Sequence, residues 1–151
     1  MSSTIFTAQP YDPRKDKRRG RLILTIILVV LVLAVLAWFL RFWPQEHLVG
    51  NFFDALQHKN YEQAYGYWVA DKNWKQHPDK FSNYPYGEFF KDWGPMGEFG
   101  EIRSYHVEGA VRPKGASGVV VVVTVNDVVD PNKRARIWVE GKDKTLTFSP
   151  Y

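Results

Sequence analysis

The sequence predicts an α+β fold behind one N-terminal transmembrane helix: three helices packed on a curved, four-stranded antiparallel sheet. Three observations predict it. Residues 22–40 read LILTIILVVLVLAVLAWFL, nineteen positions without a charge and with Thr25 as the only polar side chain. Residues 44–93 carry apolar side chains at helical spacing. From residue 101 the pattern changes to alternating and β-branched stretches divided by short turn-forming segments.

The apolar run comes first. A helix of this length covers roughly 28 Å, close to the roughly 30 Å hydrocarbon core of a bilayer. Arg14, Lys15, Lys17, Arg18, Arg19 and Arg21 precede it against Asp12 and Asp16, and only Arg41 follows closely. Basic flanks stay on the cytoplasmic side. The expected topology is a single-pass signal anchor in the cell (inner) membrane, amino terminus in the cytoplasm and C-terminal domain periplasmic or extracellular. Arg18, Arg19 and Arg21 then face the inner interface, and Trp38, Arg41 and Trp43 the outer one. A cleaved signal peptide is the competing reading, with Val35-Leu36-Ala37 as its cut site. Its apolar core would span only about 7–15 residues, whereas this run continues through Trp38 to Leu40 without a breaker. The absence of cysteine excludes a lipoprotein anchor and any disulfide.

Charge distribution decides what the net charge of +4 means. Residues 1–21 hold six Lys/Arg and two Asp/Glu, and the remaining 130 residues hold fourteen of each sign. The basicity therefore belongs to the membrane flank. It favours anionic lipid headgroups over a phosphate-binding groove, and no nucleic-acid partner is expected.

Residues 1–21 contain two prolines and no apolar period, as a disordered cytoplasmic tail would. Residues 22–43 form the transmembrane segment and residues 44–151 an extracytoplasmic domain. Pro44 stops the membrane helix and suits the first position of the next. Leu48, Val49, Phe52, Phe53 and Leu56 then make one apolar face. Asn60 and Gln63 are spaced as a capping box for a second helix, whose face is Tyr61, Ala64, Tyr65, Trp68 and Val69. Residues 71–80 read as a polar loop. Ser82 precedes a third helix carrying Phe89, Phe90 and Trp93, closed by Gly94 and Pro95.

Residues 101–111 alternate as a strand. Residues 119–125, VVVVVTV, predict a central strand buried on both faces. Asp130 and Pro131 mark a turn. Residues 136–140 and 145–148 complete a meander, since the short connections require antiparallel neighbours.

Four stretches, FFDALQHKNYEQAYGYW and the later EIRSYHVEG, VVVVVTVND and RIWVEGKDKTLTFSP, resemble the nuclear transport factor 2-like superfamily. The resemblance is to its small, membrane-tethered bacterial members and covers residues 44–151. It implies a curved sheet wrapped around helices, with an apolar pocket at the mouth of a cone. The superfamily includes ketosteroid isomerase, dehydratases and domains that only bind, so fold alone does not decide function.

Several residues invite a chemical role. Enzymes of this superfamily use a cavity carboxylate with tyrosine or acid donors, and Asp127, Tyr61 and Tyr65 are the available equivalents by type. Asp127 more simply starts a turn after Asn126, and both tyrosines lie on an apolar helical face. His47 and His58 fall on the polar side of the first domain helix and His77 in a loop. His106 alternates away from Tyr105 and Val107, which would aim it into a cavity. No histidine has a second ligand at metal-site spacing, and no nucleophile elbow or dinucleotide fingerprint is present, so no cofactor is implied.

The expected ligand pocket is lined by Tyr61, Tyr65, Trp68, Phe89, Phe90, Trp93 and His106. The expected role is a membrane-anchored binding or scaffolding domain. Its partners are the bilayer, a membrane or envelope protein, and a small apolar ligand. The alternative is an isomerase or dehydratase acting on a small hydrophobic substrate.

Overall fold

The structure, a computed structural model, describes residues 13–127 and 134–151, with side chains from residue 18 onward. It divides into two units, Met1–Arg41 and Phe42–Tyr151.

The described part of the first unit is one helix, α1 (Pro13–Leu40). It starts before the apolar run, so residues 13–21, expected to be disordered, are helical. Proline fits a first helical position, and the Lys and Arg residues that follow are good helix formers. The rest of the expected tail lies outside the described residues. The Thr25 hydroxyl donates to the Arg21 carbonyl at 2.9 Å, so the one polar side chain of the run is satisfied by its own helix. Every residue from 18 to 41 is exposed.

The second unit starts with α2 (Trp43–Gln57), which has Pro44 in its first turn and Glu46 beside the positive helix end. Val49, Phe52, Phe53, Ala55 and Leu56 form its buried face. α3 (Tyr61–Trp68) follows. Asn60 does not cap it through the backbone. Its Nδ2 donates instead to Gln63 Oε1 at 2.7 Å, so the expected pair forms between side chains. The polar loop contains two 3₁₀ turns, Trp74–Gln76 and Pro78–Phe81. α4 (Tyr86–Trp93) begins after Pro85, not Ser82, because extended Pro85 (φ −72°, ψ 161°) occupies the cap position. Gly94 ends it.

The sheet contains β1 (Tyr105–Val111), β2 (Val119–Val125), β3 (Ala135–Val139) and β4 (Leu146–Phe148), antiparallel in chain order. β1 is shorter than the alternation predicts, for a reason given below. The Asp130–Pro131 turn lies outside the described residues. Register places Tyr105 opposite Val125 and Val121 opposite Ile137. A bulge between Val107 and Gly109 shifts the β1–β2 pairing, and Gly109 holds φ at 153°, a value that favours glycine.

β2 is central, but the expectation that both its faces are buried needs correction. Val119, Val121, Val123 and Val125 point inward and are fully buried. On the outer face Val122 is only half-buried, because none of the described helices of this unit covers that side. Val120 escapes water there beside its cross-strand partner Trp138.

The core is built from rings. Phe52 meets Phe53 and Trp93 edge-on, each at 5.1 Å, and Trp68 at 5.4 Å. Trp93 lies parallel to Phe148 of β4 at 5.5 Å and 2°. Such offset and edge-on pairs add about 0.5–1.5 kcal/mol each beyond the area they bury. Phe52 is at the centre of four such pairs, so Phe52→Ala should cost about 3–5 kcal/mol. Phe90→Ala, at a 42% exposed position, should cost about 1 kcal/mol or less. Urea denaturation of the two variants measures the difference.

Candidate functional site

The seven residues expected to line a pocket do not enclose one. Tyr65, Trp68, Phe89 and Trp93 come together, but as core, each buried. Trp68 packs on Phe89 at 6.0 Å and on Trp93 at 5.5 Å. Tyr61 lies at the margin with its ring edge-on to Phe90 at 5.0 Å, and Phe90 faces outward. His106 is exposed on the outer face, opposite Thr124, because its neighbour Tyr105 takes the inward position against Phe53 at 5.8 Å. The correction has a simple cause: large rings occupy the space that a hollow cone would leave open. None of the seven lines the surface grooves described below.

The remaining candidates have local partners. His47 stacks on Trp43 at 5.1 Å and 7°, His58 meets the Asp54 carbonyl at 2.9 Å, and His77 lies 3.4 Å from Asp71. No group of three His, Asp or Glu among the described residues is placed to hold a metal ion.

Asp127 is a structural residue. Its carboxylate accepts from the Ser104 hydroxyl at 3.1 Å at the exposed end of β2. Asn126 beside it is a latch. Its Oδ1 accepts from the Arg103 N–H at 2.7 Å and the Ser104 N–H at 3.4 Å. Its Nδ2 donates to the carbonyls of Phe99 at 3.2 Å and Glu101 at 3.0 Å. One amide thus satisfies the irregular backbone before β1, which is why the strand starts only at Tyr105. Asn126 and Asp127 both sit near φ +54°, a region that Asn and Asp tolerate better than most residues.

One polar chain reaches into the ring core. Tyr65 donates to the Tyr84 carbonyl at 2.6 Å, and Tyr84 donates to Asp92 Oδ2 at 2.6 Å. Burial pushes the Tyr84 phenol well above its ordinary range, and the Asp92 carboxylate adds to the shift. Tyr65 and Tyr105 are raised by burial as well. A phenol held neutral this way is a hydrogen-bond donor, not a nucleophile.

The grooves lie elsewhere. A polar one of about 540 Å³ runs beside α3, lined by Glu62, Tyr67, Lys72 and Trp74, with Lys75 and Glu62 paired at 2.6 Å. A more apolar one of about 480 Å³ crosses the outer face of the sheet. Val120 and Val122 form its floor, and Gly109, with nothing within 4 Å of an added Cβ, leaves it open. Val111 and Pro113 stand on the β1 side, and Arg134 and Arg136 on the β3 side. Glu108 accepts from Arg134 Nη1 at 2.8 Å and from the Thr124 hydroxyl. Tyr151 borders the groove and packs on Trp138 at 5.6 Å. Sequence reasoning missed this face. Its signals are a glycine inside a strand, an arginine at an outward position of β3 and another just before that strand.

Asn126→Ala should lower stability by at least about 2 kcal/mol, since it strands several backbone groups together; thermal unfolding would show it. The raised tyrosines set an alkaline limit. Their stabilisation is complete below the unfolded phenol value near pH 10 and is lost as pH rises beyond it. Unfolding free energy measured from pH 9 to 12 should fall more steeply for the native chain than for Tyr84→Phe. Comparison with protein-family models, with curated proteins and with solved structures finds no match.

Proposed function

We propose that the chain is a single-pass membrane protein whose C-terminal domain lies outside the cytoplasm and binds or scaffolds a membrane or envelope partner. The observation that carries this is the exposure of α1. Sixteen large apolar side chains between Leu22 and Leu40 are each 45–78% exposed. At roughly 1.5–3 kcal/mol for each side chain left in water, their burden exceeds the whole stability of an ordinary domain, about 5–15 kcal/mol. A bilayer removes it.

The flanks support this direction. Arg18, Arg19 and Arg21 are exposed at one end of the apolar run. At the other, the Arg41 guanidinium lies 4.1 Å from the Trp38 ring, an arrangement suited to a headgroup interface. In the second unit, exposed Trp43 offers another interfacial ring.

A binding role fits the domain better than catalysis does. Among the described residues no charged side chain is buried, the buried Tyr65 phenol is spent on the Tyr84 carbonyl, and the inner face is filled by Phe52, Trp68, Phe89 and Trp93. An isomerase or dehydratase needs a carboxylate or phenol aimed into a cavity, and the ring core leaves it no room. We also read the domain as nuclear transport factor 2-like. The order of helices before an antiparallel meander supports this, while the filled interior departs from a ligand-binding cone.

Two measurements test the proposal. The chain should stay with membranes in alkaline carbonate. A reporter that works only outside the cytoplasm should be active when fused after Tyr151, and replacing Arg18, Arg19 and Arg21 together with Glu should reduce its signal. A freely soluble chain, or a silent reporter on the native flank, overturns the reading.

A further inference from the structure

We propose that the outer-face groove docks an extended protein segment whose groove-facing side chains, at every second position, include both apolar and acidic ones, with Arg136 as its charged contact. This deepens the binding role proposed above and rests on it. Charge complementarity makes the argument. Glu108 is already neutralised by Arg134 and further held by Thr124. Arg136 is exposed and has no ion-pair partner among the described residues. Among the described residues, the groove's lining therefore carries one cation without an ion pair, beside a valine floor. Arg134 adds a second sign of an unfilled site, since its buried Nε has no hydrogen-bond partner among the described residues.

The shape selects a protein segment over a small amphiphile. Pockets for small ligands bury about 70–90% of the ligand surface, and this groove lies open across the face of the sheet. A lipid tail already rests in an apolar phase, so a half-wet groove offers it little. An extended segment differs in both respects. Its side chains point to alternate faces, so residues two apart face the groove together, and apolar ones can cover Val120 and Val122 while an acidic one meets Arg136. Exposed Val111 and Tyr151, 55% and 60% accessible, would be covered by the same event.

The test uses the full chain in phosphatidylcholine nanodiscs, which present no anionic lipid, as bait for a phage-displayed library of random peptides. The proposal expects selected peptides that carry Asp or Glu two or four positions from apolar residues. Arg136→Gln should weaken them by about tenfold or more. Arg136→Glu should move the selection toward Lys and Arg. Val122→Glu, which places a repelling charge on the floor, should abolish binding, with circular dichroism confirming that each variant keeps its fold. Peptides without acidic residues, the same peptides on Arg136→Glu, or no enrichment over empty nanodiscs would each overturn the proposal. The anchor fails separately: release by alkaline carbonate strikes the membrane reading, whereas selection of non-acidic peptides strikes only the groove.

Discussion

Aromatic packing between the helices and the inner face of the sheet is the constraint on which the second unit depends. Phe52 touches Phe53, Trp68, Phe89 and Trp93, and so ties α2 to both α3 and α4. Trp93 carries the same network to β4 through Phe148. With no cysteine in the chain, nothing covalent supports this arrangement. The rings that hold the domain together also fill its interior, so the surfaces left for recognition are external. In that sense stability and function compete for the same volume, and stability has taken the inside.

Much of the fold is legible in the sequence because the signals are periodic. The uncharged run from Leu22 to Leu40 needs no tertiary context to read as a long helix. The valine strand and its short connections specify a central antiparallel position, since every alternative leaves apolar residues on an edge. What failed was local. Asn60 and Gln63 have capping-box spacing, yet their side chains bond one another, a choice made by rotamers that spacing does not encode. Residues 101–104 alternate like a strand, but the Asn126 amide, more than twenty positions away, holds their backbone in another shape.

The candidate site was less legible, for a physical reason. A ring that lines a pocket and a ring that fills a core share the same helical face, so periodicity cannot separate them. Tyr65, Trp68, Phe89 and Trp93 pack on one another and leave no space between them to line. His106 shows the limit of alternation: it fixes which residues share a face and leaves open which face the helices cover. The outer groove depends on a bulge at Gly109 and on cross-strand pairing of β1 with β2, both long-range facts.

The place of β4 in the chain has a consequence for assembly. Phe148 completes the ring stack from the last strand, and it also meets Trp68 at 5.1 Å. In a chain made amino end first, the faces of Trp68 and Trp93 that meet Phe148 therefore stay uncovered until β4 has followed the three other strands. Chaperone holding, or a slow final zippering of the third and fourth strands, would govern its yield more than its finished stability does.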